Sequence, residues 1–84
     1  PENADSHFGL AMIYQKSAVD DLAEKEFLET IRITPRHLEA RLFLSLLYAD
    51  LGEMQKAKEQ LREILKIDPD HERARVFLEK IEKE

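Results

Sequence analysis

Apolar side chains recur along this chain at the spacing of a helix. Ala40, Leu44, Leu47, Tyr48 and Leu51 fall at i, i+4, i+7, i+8 and i+11, which lines them on one helical face. A second stripe of Ala57, Leu61, Ile64 and Leu65 follows a break at Gly52. Glycine there suits the left-handed cap that ends one helix and lets the next fold back, so the two stripes predict an antiparallel hairpin. The scheme also occurs earlier, with Leu10, Ile13 and Tyr14 and then Ala23, Phe27 and Ile31, around a turn at residues 17–20 that lacks glycine. There Asp20 or Asp21 is the expected cap, because a short carboxylate accepts bonds from unpaired amides. Pro35 and Pro69 restrict the residue before them and cannot donate to a carbonyl one turn back. The second helix of each hairpin should therefore stop near Ile33 or Ile67.

The two hairpins are copies at a separation of thirty-four residues. That shift aligns Pro1, Pro35 and Pro69; Leu10, Leu44 and Leu78; Tyr14 with Tyr48; Ala23 with Ala57; Ile33 with Ile67; Ala40 with Ala74; and Phe43 with Phe77. A period of this size signals stacked supersecondary units. The related stretches ITPRH at 33–37 and IDPDH at 67–71 then read as punctuation between units. Asp68, Asp70 and His71 could suggest a divalent cation site. The repeat, however, puts His37 and His71 on successive turns, roughly 10 Å apart at the usual separation of packed helices and too far to share an ion. Asp70 is expected to start the following helix and the histidines to be turn residues, with no metal bound.

The residues that repeat carry a family resemblance. Leu10, Tyr14, Ala23, Phe27 and Pro35, and then Leu44, Tyr48, Ala57, Leu61 and Pro69, resemble the tetratricopeptide repeat pattern. His7 and Arg41 stand where that family has Trp, and Ala11 and Ser45 where it has Gly, a position that mainly needs a small side chain. The implied fold is all-α: a short right-handed α-solenoid of antiparallel hairpins with about five helices. The expected division is one domain over 1–84, with repeats at about 4–37 and 38–71. A capping helix at about 72–84 turns Ala74, Phe77, Leu78 and Ile81 inward and Glu79, Lys80, Glu82, Lys83 and Glu84 outward. Pro1, Glu2 and Asn3 fall where an earlier repeat would finish, so the chain reads as the C-terminal part of a longer repeat protein.

The segment 38–51 is apolar on more than one side. Beyond its core stripe it carries Leu42, Phe43, Leu46 and Ala49, a second row that something must cover. The resemblance implies a concave groove holding a peptide or helix of a partner, lined by Phe8, Met12, Gln15, Phe43, Leu46, Ala49, Phe77 and Lys80. Leu42 joins it as an apolar anchor, and Asp5, Lys16, Glu39, Asp50 and Arg73 lie at its rim. The competing expectation is that the row packs against neighbouring helices of the array. The Lys and Asn set with which a subclass of these repeats grips chaperone tails is missing, since Phe8, Met12, Phe43 and Phe77 occupy the corresponding places.

Composition narrows the function further. Eighty-four residues make one small domain that buries roughly 60 to 65% of its unfolded surface. The net charge is −5, and the best cationic group, Arg32, Arg36 and Arg41, is sparse, which argues against nucleic acid. With no cysteine there is no disulfide or thiolate zinc site, and thiol usage does not point to a redox compartment. The cytoplasm is taken only as the default compartment. The longest apolar run, residues 42–49, is broken by Ser45 and is far short of the roughly 20 residues of a membrane span. Ser6, His7, Asp20, Asp21 and Glu24 are the only candidates for catalysis, and no nucleophile, base and orienting group converge among them. The expectation is a non-catalytic protein-interaction scaffold without cofactors. The alternative is a homo-oligomerisation module, with a homodimer as the simplest case.

Overall fold

At positions 3, 37 and 71, thirty-four residues apart, the chain places a side-chain acceptor ahead of a helix. In a computed structural model that describes residues 3–83, the helices are α1 (Ala4–Lys16), α2 (Asp20–Ile33), α3 (Leu38–Asp50), α4 (Met54–Ile67) and α5 (Glu72–Lys83). No strand occurs among the described residues, and the fold is an all-α helical repeat. Asn3 caps α1, its Oδ1 accepting from the amides of Asp5 at 2.9 Å and Ser6 at 3.4 Å. At the equivalent positions, His37 Nδ1 accepts from the Ala40 amide and His71 Nδ1 from the Ala74 amide, both at 3.1 Å. Each acceptor satisfies an amide that the first turn of a helix leaves without a partner.

The prolines act as expected. Helix α2 ends at Ile33 and α4 at Ile67. The Thr34 and Asp68 amides then close back on Thr30 and Ile64, each at 2.8 Å. The amides of His37 and His71 donate to the Thr34 and Asp68 carbonyls at 3.0 and 3.1 Å. These are four-residue turns with proline second, the place where its fixed φ is pre-organised.

Two expectations about caps need correction. Helix α2 is preceded by Val19, with no side-chain cap; Asp20 and Asp21 lie inside its first turn, where a carboxylate meets the helix dipole instead of a specific amide. Helix α5 is started by His71, not by Asp70, whose own amide is held by Asp68 Oδ1 at 3.1 Å.

The chain divides into two compact units, Pro1–Ala40 and Arg41–Glu84. In the first, α1 packs on α2, with Ala11, Ala23, Phe27 and Thr30 fully buried. The Phe8 ring lies 6.2 Å from that of Phe27 and 4.7 Å from that of His37. Leu10 and Ile13, placed by periodicity on a buried stripe, are instead 42% and 60% exposed. Helix α1 meets α2 through His7 and Phe8, and this contact leaves the Leu10 and Ile13 side uncovered.

In the second unit, Leu44, Leu61, Ile64 and Ala74 are fully buried, and Arg62 reaches Glu82 at 3.2 Å between α4 and α5. Fully burying side chains of the size of Leu61 or Ile64 contributes about 1.5–3 kcal/mol each. Ser45 is buried and donates its hydroxyl to the Leu42 carbonyl at 2.6 Å. Ala11 is its counterpart in the first unit, so both small-residue positions are enclosed. Leu51, the last residue of its predicted stripe, sits just past the end of α3 and is exposed.

The expectations for Pro1 and Glu2, and for Glu84 as an outward residue, lie outside the described residues.

Candidate functional site

Each hairpin is locked by the same two devices, and the second hairpin has a third. The first is a polar clamp at the position where the resembling pattern has Trp. His7 Nδ1 pairs with Glu26, and at the equivalent positions Arg41 Nη1 donates to Gln60 Oε1 at 2.9 Å. The second is the turn. After α1 the amides of Ala18 and Val19 donate to Gln15 and Tyr14; after α3 those of Gly52 and Glu53 donate to Ala49 and Tyr48. This crossed pair of bonds is the Schellman arrangement, which requires a left-handed residue after the helix. Gly52 supplies it with φ 81°, and Ala18, its equivalent, adopts φ 61°. The third is Lys56, whose ammonium lies 5.6 Å from the Tyr48 ring centroid across the second hairpin.

With α3 held in this way, one of its sides forms an apolar groove together with α5. Leu42, Phe43 and Leu46 come from α3, and Glu72, Arg73, Val76, Phe77 and Lys80 from α5, around a cavity of about 420 Å³. Leu42 is buried and forms the floor; Phe43, Leu46 and Phe77 are half-buried walls. Val76 stands at the mouth with 57% of its surface exposed. Arg73, Val76, Phe77 and Lys80 follow i, i+3, i+4, i+7 spacing and so share one stripe of α5. A cavity of this size, apolar inside with a few charges at its edge, has the character of a binding cleft.

Six residues expected in a groove therefore lie together: Leu42, Phe43, Leu46, Arg73, Phe77 and Lys80. Phe8 and Met12 are half-buried on α1 in the first unit and do not line this cavity; Phe8 is engaged with the Phe27 and His37 rings. Glu72 and Val76 line it without having been foreseen. Val76 had a signal, since it follows Leu42 by one repeat and Phe8 by two. Glu72 had none.

Elsewhere the candidate chemistry is committed to structure. His7 pairs with Glu26, and His37 and His71 are helix caps. A second depression, about 450 Å³, lies on the first unit and is lined by Asp21, Glu24, Lys25, Leu28 and Glu29. Of these, Glu29 is held by Arg32 Nε at 2.7 Å, a bond that keeps its carboxyl below the usual glutamate value of 4.5. Glu63 on α4 is lowered in the same way by Lys66 at 2.8 Å. Among the described residues no three His, Asp or Glu side chains form a group that could hold a metal ion. Nor is any helix among them long and apolar enough to cross a membrane.

A family model described as tetratricopeptide repeat matches residues 21–81. Among solved structures, the chain is similar to the crystal structure of MamA with a TM-score of 0.92 and 21% identity, over 96% of this chain and 47% of that one. It thus spans about half the length of that protein, and a likeness at this identity concerns the fold. No curated protein matches the chain.

Proposed function

Because the chain belongs to the tetratricopeptide repeat family, whose members generally mediate protein–protein interaction and are typically non-catalytic, we propose that it is a scaffold holding a peptide or helix of a partner protein in the groove of α3 and α5. The observation that carries this reading is Val76, a largely exposed aliphatic side chain at the mouth of a cavity with an apolar floor and walls. Such a cleft gains free energy when a partner removes it from water, at about 25 cal/mol per Å² before association costs. The second hairpin supplies the rigidity, because its clamp, turn and cap fix α3. In this reading the repeats run over about 4–37 and 38–71, followed by a closing helix.

The test is capture of partners from source lysate with the wild type, Val76→Glu and Leu28→Glu. Leu28 is an exposed leucine of the first unit and serves as the control. Loss of partners by Val76→Glu alone, with helicity unchanged by circular dichroism, is the expected result. Retention of every partner by a folded Val76→Glu would overturn the reading.

A second reading is self-association, favoured by the exposed Leu10 and Ile13 on α1. Light scattering across a concentration series tests it, and a monodisperse monomer throughout would remove it.

A further inference from the structure

We propose that the occupant of the α3 and α5 groove is an acidic amphipathic helix of a partner protein. The inference rests on the groove reading above and adds the partner's chemistry. Arg73 and Lys80 are both exposed, stand seven residues apart on one stripe of α5, and enclose Val76 and Phe77 between them. At the helical rise their Cα positions are about 10.5 Å apart along the axis. Neither takes part in an ion pair among the described residues, whereas Arg62 and Lys66 of the same unit are paired with Glu82 and Glu63. Glu72, in the first turn of α5, is the one carboxylate that lines the cavity among the described residues. The groove thus has a cationic edge on a chain whose net charge is −5.

Charge complementarity follows from that arrangement. A partner helix with two apolar residues at i+3 and i+4, flanked by carboxylates at i and i+7, repeats the α5 stripe with the opposite sign. It would set its apolar pair on Phe43, Leu46 and Phe77 while its carboxylates reach Arg73 and Lys80. A groove made by two helices suits a third helix laid along it, as in other helix-in-groove recognition. The remaining surface, being acidic, repels the same ligand, so the groove is selected over the rest of the chain.

The experiment uses fluorescence anisotropy on the full chain with three labelled, conformationally stapled helical peptides. All carry the same Leu pair, flanked by Glu, Gln or Lys. The Glu peptide should bind on the order of tenfold tighter than the Lys peptide, with a preference that shrinks as salt is raised. The Arg73→Glu, Lys80→Glu double variant should invert the order; both positions are exposed, and the wild-type comparison of peptides stands without it. Equal binding of all three peptides, lost in Val76→Glu, would overturn the acidic partner and leave the groove reading intact. Binding of none would overturn both. Dimerisation abolished by Val76→Glu, with no peptide bound, would seat a second copy in the groove and overturn the proposal as well.

Discussion

Replacing Ala18 with glycine should stabilise this protein although it removes a methyl group. The two hairpin turns have the same pair of crossed hydrogen bonds, and both place their pivotal residue at positive φ, 61° for Ala18 and 81° for Gly52. For an L-residue the left-handed region costs roughly 1–2 kcal/mol, from the approach of Cβ to the following carbonyl. Glycine escapes that cost but makes the unfolded chain more flexible, a loss of about 0.4–1 kcal/mol. Ala18→Gly should therefore gain about 0.5–1 kcal/mol net, and for a domain of this size each kcal/mol moves Tm by roughly 4–8 °C. The reciprocal change, Gly52→Ala, should lower Tm by a similar amount. Beyond its two chain neighbours a Cβ at Gly52 would meet no atom within 4 Å, so its cost is that of the backbone conformation. Thermal melts followed by far-ultraviolet circular dichroism, backed by urea titration, measure both. Tm shifts of the same sign in the two variants, or a fall in Ala18→Gly, would refute the argument that the turns are conformationally equivalent.

Further outcomes follow from the caps, the clefts and the charges. His71→Ala should cost about 1 kcal/mol in urea unfolding and His71→Asn should recover most of it, because Asn restores an acceptor for the helix amide. His37→Asn should recover less, since it keeps the acceptor but gives up the ring contact with Phe8 at 4.7 Å. Ser45→Ala should change stability by no more than about 1 kcal/mol, whereas Ser45→Leu, which overfills an enclosed site, should cost about 1–3 kcal/mol or more. Glu29→Gln should lower stability slightly at neutral pH. The folded carboxyl titrates below 4.5, so its contribution is present above that value and disappears as pH falls through the folded value; the variant and wild type should converge in acid. Parallel melts at neutral and acidic pH would detect a difference that persists.

Helix ends were the most legible feature, and for a local reason. Pro35 and Pro69 act on their own neighbours, so Ile33 and Ile67 could be read as final residues without knowledge of anything distant. Gly52 was legible for the same reason, because glycine is the residue that takes positive φ without steric cost. Ala18 was not, since nothing in an alanine announces a left-handed turn, and only its register with Gly52 does so. Burial was less readable. Leu10 and Ile13 sit at helical spacing, but periodicity specifies a stripe without specifying how much of it a neighbour covers. The caps were misassigned because Asp is a good capping residue by type, while the structure gives the role to His71 and leaves Asp20 and Asp21 in the first turn of α2. Of the groove, the α3 residues stood out as apolar excess on one helix. Val76 did not, because a single aliphatic side chain among Arg73, Arg75 and Glu79 resembles solvent-facing helix unless the repeat is counted.

The His7 with Glu26 and Arg41 with Gln60 clamps have a bearing on how such a chain changes over time. Both partners of each clamp lie within one thirty-four-residue copy, so one may drift only if the other drifts with it, and His–Glu and Arg–Gln are two settlements of the same constraint. A gene segment encoding one copy consequently carries its own matched pair wherever it is duplicated. Lengthening the protein by tandem copying then disturbs no clamp already in place.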